Sequence, residues 1–107
     1  MKSRRLWRLQ TKISMEGGNP VLFVGGRLDH ASKAELEAVT ANHERSSPDR
    51  VIIDLSEVDY ISSSALTIFQ AIADRQEERG GRLVLRAPST AARLALDLAG
   101  MLSLVDG

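Results

Sequence analysis

The sequence predicts an α/β domain whose sheet is parallel apart from an N-terminal hairpin. Three observations carry that expectation. Residues 51–55 form an almost unbroken apolar run, four of five hydrophobic and three β-branched, as expected of a central strand buried on both faces. From residue 62 to 80 the period changes to 3.6, with Leu66, Phe69, Ile72 and Ala73 in a row and Ala65 and Ile68 flanking it, the pattern of an amphipathic helix. Strand-like and helix-like segments alternate along the chain in the order ββαβαβα, which implies parallel pairing through right-handed crossovers.

Residues 6–13 read as an irregular strand, Leu6, Arg8, Gln10 and Lys12 alternating with Trp7, Leu9 and Ile13. The stretch EGGNP at 16–20 is a turn, and Val21, Leu22, Phe23 and Val24, closed by Gly25 and Gly26, return as the second strand of a hairpin. Leu28 ends that strand, with Asp29 just past it. Asp29 and Ser32 are both good helix caps, and Glu35 stands three residues after Ser32 at capping-box spacing. A first helix is expected from 32 to 44, with a weak apolar stripe of Ala34, Leu36, Ala38, Val39 and Ala41, ended by SSPD at 46–49. The second helix starts at the serines 62–64 and stops at Gly80, and Leu83, Val84 and Leu85 make a further strand. Pro88, Ser89 and Thr90 open a last helix whose apolar face is expected to be Leu94, Leu98 and Met101 with Ala91 and Ala95, stopping at Gly100. The stub LSLV at 102–105 is a candidate edge strand. No internal repeat is visible.

Composition narrows the function. At 107 residues and 43% hydrophobic content, the chain is sized for one domain with one core. Basic and acidic residues balance at 14 each and the pI is near 6.7, so no global field attracts nucleic acid. Aromatic content of 4% argues against a base-stacking surface as well. The absence of cysteine removes disulfides, thiolate catalysis and the usual structural zinc sites. MKSRR is basic, but LWRLQTK follows it where a secretory signal needs an apolar stretch, and no run approaches the ~20 residues of a membrane span. The expectation is a cytoplasmic protein with no direct membrane insertion.

No enzyme and no cofactor are expected. A Ser-His-Asp hydrolase needs a base, and only His30 and His43 are available. His43 reads as a partly packed residue at the end of the first helix. His30 is more interesting, because the end of one strand can lie beside the end of a parallel neighbour; even so, Asp29, adjacent in sequence, cannot easily orient it as a base. There is no G-x-S-x-G elbow, P-loop, G-x-G-x-x-G or metal-spaced cluster, and the glycine pairs at 17–18, 25–26 and 80–81 read as turns.

Ser62, Ser63 and Ser64 therefore stand out as acceptors rather than catalysts. One hydroxyl suffices as a cap, and in the plainest reading the other two fill tight polar loop positions. The functional reading is electrostatic. The first turn of a helix offers unpaired N–H groups and a positive dipole end, so a phosphate added there is stabilised, and its roughly two negative charges can abolish a packed interface.

The stretch IDLSEVDYISSSAL at 53–66, preceded by GRLDHAS at 26–32 and followed by GGRLVL at 80–85 and LALDLAGM at 94–101, resembles the STAS domain family, and within it the bacterial anti-sigma factor antagonists. The resemblance covers nearly the whole chain, in order and with matching gaps. It implies a single STAS domain, α/β, with a mixed four- to five-stranded sheet and helices packed on one side. It also implies partner switching. The unphosphorylated protein binds an anti-sigma factor that is a serine kinase of the histidine-kinase-like ATPase type, phosphorylation in a D-S-[ST]-G-L motif breaks the complex, and a PP2C-type phosphatase restores it. Aligned on that motif, Ser63 is the phosphorylated residue, Ser62 replaces the acidic residue before it, Ser64 is a cap or neighbour, and Ala65 replaces the glycine. Asp29, Asp59, Ser62, Ser63 and Ser64 are then the candidate partner-binding residues. The substitutions at 62 and 65 leave a competing hydroxyl beside the acceptor and add a methyl where a partner backbone would pass. Other relatives keep the fold without phosphorylation, as small subunits of membrane transport complexes, and a constitutive scaffold is the alternative reading.

Overall fold

The computed structural model describes residues 8–47 and 49–106. Leu6 and Trp7, assigned above to the first strand, lie outside the described residues. Strands β1 (Gln10–Glu16) and β2 (Asn19–Leu28) lead into a 3-10 turn (His30–Ser32) and helix α1 (Lys33–Ser46). Strand β3 (Arg50–Ile61), helix α2 (Ser63–Glu78), strand β4 (Arg82–Arg86) and helix α3 (Thr90–Leu98) follow, then a 3-10 turn (Leu102–Leu104) and a two-residue strand β5 (Val105–Asp106). Most of the LSLV stub is thus 3-10 turn, and only its valine joins the edge strand. The first strand runs on to Glu16 because the hairpin turn needs only Gly17 and Gly18, both at positive φ, the geometry that matches strand twist in a two-residue loop.

The sheet order is β1-β2-β3-β4-β5, with β1 antiparallel to β2 and every other neighbour parallel. All three helices lie on one face. Leu22, Val24 and Leu28 of β2 and Val51, Ile53 and Leu55 of β3 share a core with Leu36 of α1, Phe69 and Ile72 of α2, and Leu96 of α3. The alternate residues Val21, Ile52 and Val84 form a separate small cluster on the other face with Phe23, among strand residues only. Phe23 carries the Lys12 ammonium at 5.5 Å and the Arg86 guanidinium at 5.4 Å over its ring, and Arg86 bonds Asp54 at 2.9 Å and Glu16 at 2.6 Å. A polar lattice of long side chains therefore roofs this second face.

Helix α1 buries a different face from the small apolar stripe expected of it. Its buried residues are Leu36, Thr40, His43 and Glu44, while Ala34 and Ala38 are exposed. Each polar residue inside has a partner: Thr40 donates to the Leu36 carbonyl at 2.8 Å, His43 Nε2 meets the Ile52 carbonyl at 2.9 Å, and Glu44 accepts from Arg75 at 2.9 Å and Gln76 at 2.8 Å, while His43 Nδ1 is buried without one among the described residues. Burial alone would raise the Glu44 pKa, but the hydrogen bonds from Arg75 and Gln76 outweigh it and hold the carboxyl below its ordinary value.

Strand β3 is longer than the apolar run at 51–55, and its pairing with β2 slips twice. Phe23 pairs Asp54, Gly25 pairs Glu57, and Arg27 pairs Tyr60, so β3 holds two more residues than β2 over that length. Gly25 makes the first slip possible: a Cβ there would stand 2.8 Å from the Glu57 Cβ, closer than real side chains approach. The last helix also turned out rotated. Ala92 and Leu96 are buried against β3, whereas Leu94 and Leu98, placed inward above, are exposed; Met101 is buried as expected.

Candidate functional site

Parallel neighbours carry their helix-leading loops to the same edge of a sheet. The loop after β2 and the start of α2 meet there. The Ser62 N–H donates to the Leu28 carbonyl at 2.8 Å, extending the Leu28–Ile61 register one residue beyond the strand. Ser62 is then the N-cap of α2, extended at φ −90° and ψ 168°, and its hydroxyl accepts the Ala65 N–H at 3.3 Å. The cap is Ser62, not Ser64.

Ser64 has a different partner. Its Oγ lies 3.4 Å from Nδ1 of His30, which reaches across from the turn after β2. Ser63 stands between them as the first residue of α2, exposed, its hydroxyl without a hydrogen-bond partner among the described residues. The three adjacent hydroxyls are thus distinguished by geometry: one caps the helix, one faces His30, and one faces solvent. The N–H groups of Ser63 and Ser64 precede any turn that could accept from them, and the positive end of the α2 dipole lies at the same place.

Ser32 does not cap α1 through a box with Glu35 as the spacing implied: as its N-cap residue it makes no side-chain hydrogen bond to the helix. Instead Asp29 and Ser32 box each other around the 3-10 turn: Asp29 Oδ1 accepts the Ser32 N–H at 3.1 Å, and Ser32 Oγ accepts the Asp29 N–H at 3.1 Å. Arg27 Nε adds a contact to Asp29 Oδ2 at 3.4 Å. What desolvation there is works against the charge, but the Ser32 amide and hydroxyl and then Arg27 outweigh it, so the Asp29 pKa lies below its ordinary value. The carboxylate is therefore occupied by Ser32 and Arg27 rather than turned to His30 as a triad requires. Asp29 shapes the loop that presents His30.

Asp59 is exposed and lies within β3, not in a loop, with no hydrogen bond or ion pair to the serines. It falls at the second register slip, between Val58, paired to Gly26, and Tyr60, paired to Arg27. That slip sets the Arg27 guanidinium 4.5 Å over the Tyr60 ring, which is 43% exposed. Three surface residues of this edge were not among the candidates: Arg27, His30 and Tyr60. The proximity of parallel strand ends pointed toward His30, but the Arg27–Tyr60 pair depends on a bulge that no periodicity announces. The outer side of the β3 segment is fixed by α3, whose capping Ser89 donates its hydroxyl to the Val58 carbonyl at 2.6 Å and its N–H to Leu55 at 3.1 Å.

Comparison with known proteins places this geometry in a family. A family model described as Mlab, STAS domain matches residues 11–106. BtrV of Bordetella bronchiseptica strain RB50, which bears the provisional name of an anti-sigma factor antagonist, is 30% identical over 95 residues, 87% of this chain and 82% of its own. Among solved structures, the anti-sigma factor antagonist SpoIIAA in its unphosphorylated form superimposes with a TM-score of 0.73 at 18% identity, over 91% of this chain and 86% of that one. The Bacillus SpoIIAA in its phosphorylated form gives 0.68 at 18% identity, over 91% and 89%. With a domain model spanning nearly all the described residues and a matching fold, the chain belongs to the STAS domain family.

Proposed function

We propose that this protein is an anti-sigma factor antagonist that works by partner switching, with Ser63 as the phosphorylated residue. Unphosphorylated, it binds an anti-sigma factor that is a serine kinase of the histidine-kinase-like ATPase type. Phosphorylation of Ser63 releases it, and a PP2C-type phosphatase resets it. The observation that carries the reading is the division of labour among the three serines: only Ser63 is exposed with its hydroxyl uncommitted. The name of the Bordetella relative supports the antagonist role.

The surface offered to the kinase is the α2 start with Ser62, Ser63 and Ser64, the Asp29–His30 turn, and the Asp59–Tyr60 end of β3. A phosphate on Ser63 would bring about two negative charges to the middle of that surface, and their desolvation and repulsion weaken binding by tens to thousands of fold, by an order-of-magnitude reckoning. No helix among the described residues is long and apolar enough to cross a membrane, and the setting proposed is the cytoplasm.

The test is intact-mass measurement and peptide mapping after incubation with ATP and a lysate of the protein's own cells. Wild type is compared with Ser62→Ala, Ser63→Ala and Ser64→Ala. One added phosphate, abolished only by Ser63→Ala, is expected, together with loss of kinase binding in Ser63→Asp at unchanged fold. No phosphate on any serine with an active lysate would overturn the switch and favour a constitutive scaffold subunit of a transport complex.

A further inference from the structure

We propose that helix α3 is a self-association surface, meeting the same helix of a second copy of this chain in an antiparallel pair. Leu94 and Leu98 stand one turn apart on α3 and are 59% and 81% exposed, and Leu102, in the 3-10 turn past Gly100, is 36% exposed. Single exposed leucines are ordinary, but Leu94 and Leu98 lie on one face of the helix and make a short apolar stripe. The order of charge beside the stripe selects a second copy as its occupant. Arg93 and Asp97 flank it on one side, one turn apart and both exposed, and neither has an ion-pair partner among the described residues.

A two-fold axis that makes the helices antiparallel turns the same flank of each toward the other. Arg93 of one copy then comes opposite Asp97 of the other, and the contact repeats by symmetry, while Leu94 packs against Leu98 across the axis. A parallel pair would set that flank against the opposite one, which carries Ala99, and leave both charges unmatched. Because α3 has only nine residues, the contact is small, and such interfaces associate weakly.

This inference does not depend on the switch at Ser63, and its test uses the protein alone. Sedimentation equilibrium of the full chain from about 10 μM to about 1 mM covers the range of weak interfaces and should show monomer and dimer in exchange. Leu98→Glu, with its fold verified by circular dichroism, should weaken association by about tenfold or more. Arg93→Asp should also weaken it, by facing two acids across the axis, and adding Asp97→Arg should restore it, which a merely structural effect would not do. Wild type that stays monomeric throughout, association indifferent to Leu98→Glu, or failure of the charge swap to restore it would each overturn the proposal. A monomeric wild type whose Leu98→Glu variant loses a protein partner would assign the stripe to that partner and overturn it equally.

Discussion

The N–H of Ser62 donates to the carbonyl of Leu28 at 2.8 Å, so the residue that caps α2 is hydrogen-bonded to the last residue of the neighbouring strand. Cap, strand end and helix start are one hydrogen-bonded unit, and a local change at the cap should be felt as stability while a change at the next serine should not. Ser62→Ala removes the acceptor of the Ala65 N–H and should cost about 1 kcal/mol, whereas Ser63→Ala should stay within about 0.5 kcal/mol. Urea unfolding of the two variants checks this, and equal losses would show that Ser62 is not the working cap.

Gly25→Ala should be among the most damaging one-methyl changes in the chain. The added Cβ would meet the Glu57 Cβ at 2.8 Å and the Glu57 carbonyl oxygen at 3.1 Å, in the middle of a paired strand that cannot move away freely. A loss of about 2 kcal/mol is expected, in the range of overpacked cores. Gly17→Ala has open space around its side chain and only the strain of positive φ, so it should cost about 1 kcal/mol, and thermal unfolding of both ranks them.

The Glu44 carboxylate is buried and takes hydrogen bonds from both Arg75 and Gln76. Glu44→Ala strands the fully buried Gln76 amide and should cost about 2–3 kcal/mol. Arg75 is half exposed, and after Arg75→Ala the carboxylate still accepts from Gln76, so that loss should be smaller, about 1 kcal/mol once solvent screening is allowed for. Chemical denaturation should reproduce the order, and a larger effect at Arg75 would contradict it.

Acid should destabilise the protein in two stages. His43 is buried, which lowers its pKa, outweighing the bond to the Ile52 carbonyl that would raise it. Below the ordinary histidine value of 6.5 the unfolded chain takes up a proton that the folded one refuses, so stability falls with pH by up to about 1.4 kcal/mol per unit until the folded pKa is reached. The carboxyls of Glu44 and Asp54, lowered from 4.5 and 3.8 because hydrogen bonds outweigh their burial, contribute stability that is present above those values and is lost as pH drops through the folded ones. Urea midpoints from pH 8 to pH 3 should show the first decline vanish in His43→Asn and the second remain.

The sequence was legible where an element buries only apolar groups. Phe69 and Ile72 of α2 and the run in β3 lie inside as their periods required. It was misread where polar residues point inward or apolar ones point everywhere. The inward face of α1 is built from Thr40, His43 and Glu44, which look like surface until Ile52, Arg75 and Gln76 supply partners distant in sequence. In α3 nearly every position but Arg93 and Asp97 is apolar, so periodicity does not choose a face; the small Ala92, fully buried, allows close approach to β3 and decides the rotation. At the site, the serines and the Asp29 turn were visible as chemistry. Which hydroxyl caps, and which meets His30, depended on how far β3 runs before its helix begins.

That length has a consequence for how the chain tolerates change. If β3 lost one residue at its second slip, at Asp59, the serine run would be drawn back one place: Ser63 would inherit the capping position and Ser64 the outward one. A cap and a solvent-facing hydroxyl would both survive, but Ala65 would replace the hydroxyl opposite His30 and Ser62 would take the buried place of Ile61. A triplet of like residues thus acts as a one-sided tolerance against miscounting: the helix keeps a capping hydroxyl and the surface its acceptor if the strand shortens by one, whereas one added residue would bring Ile61 to the cap and lose it.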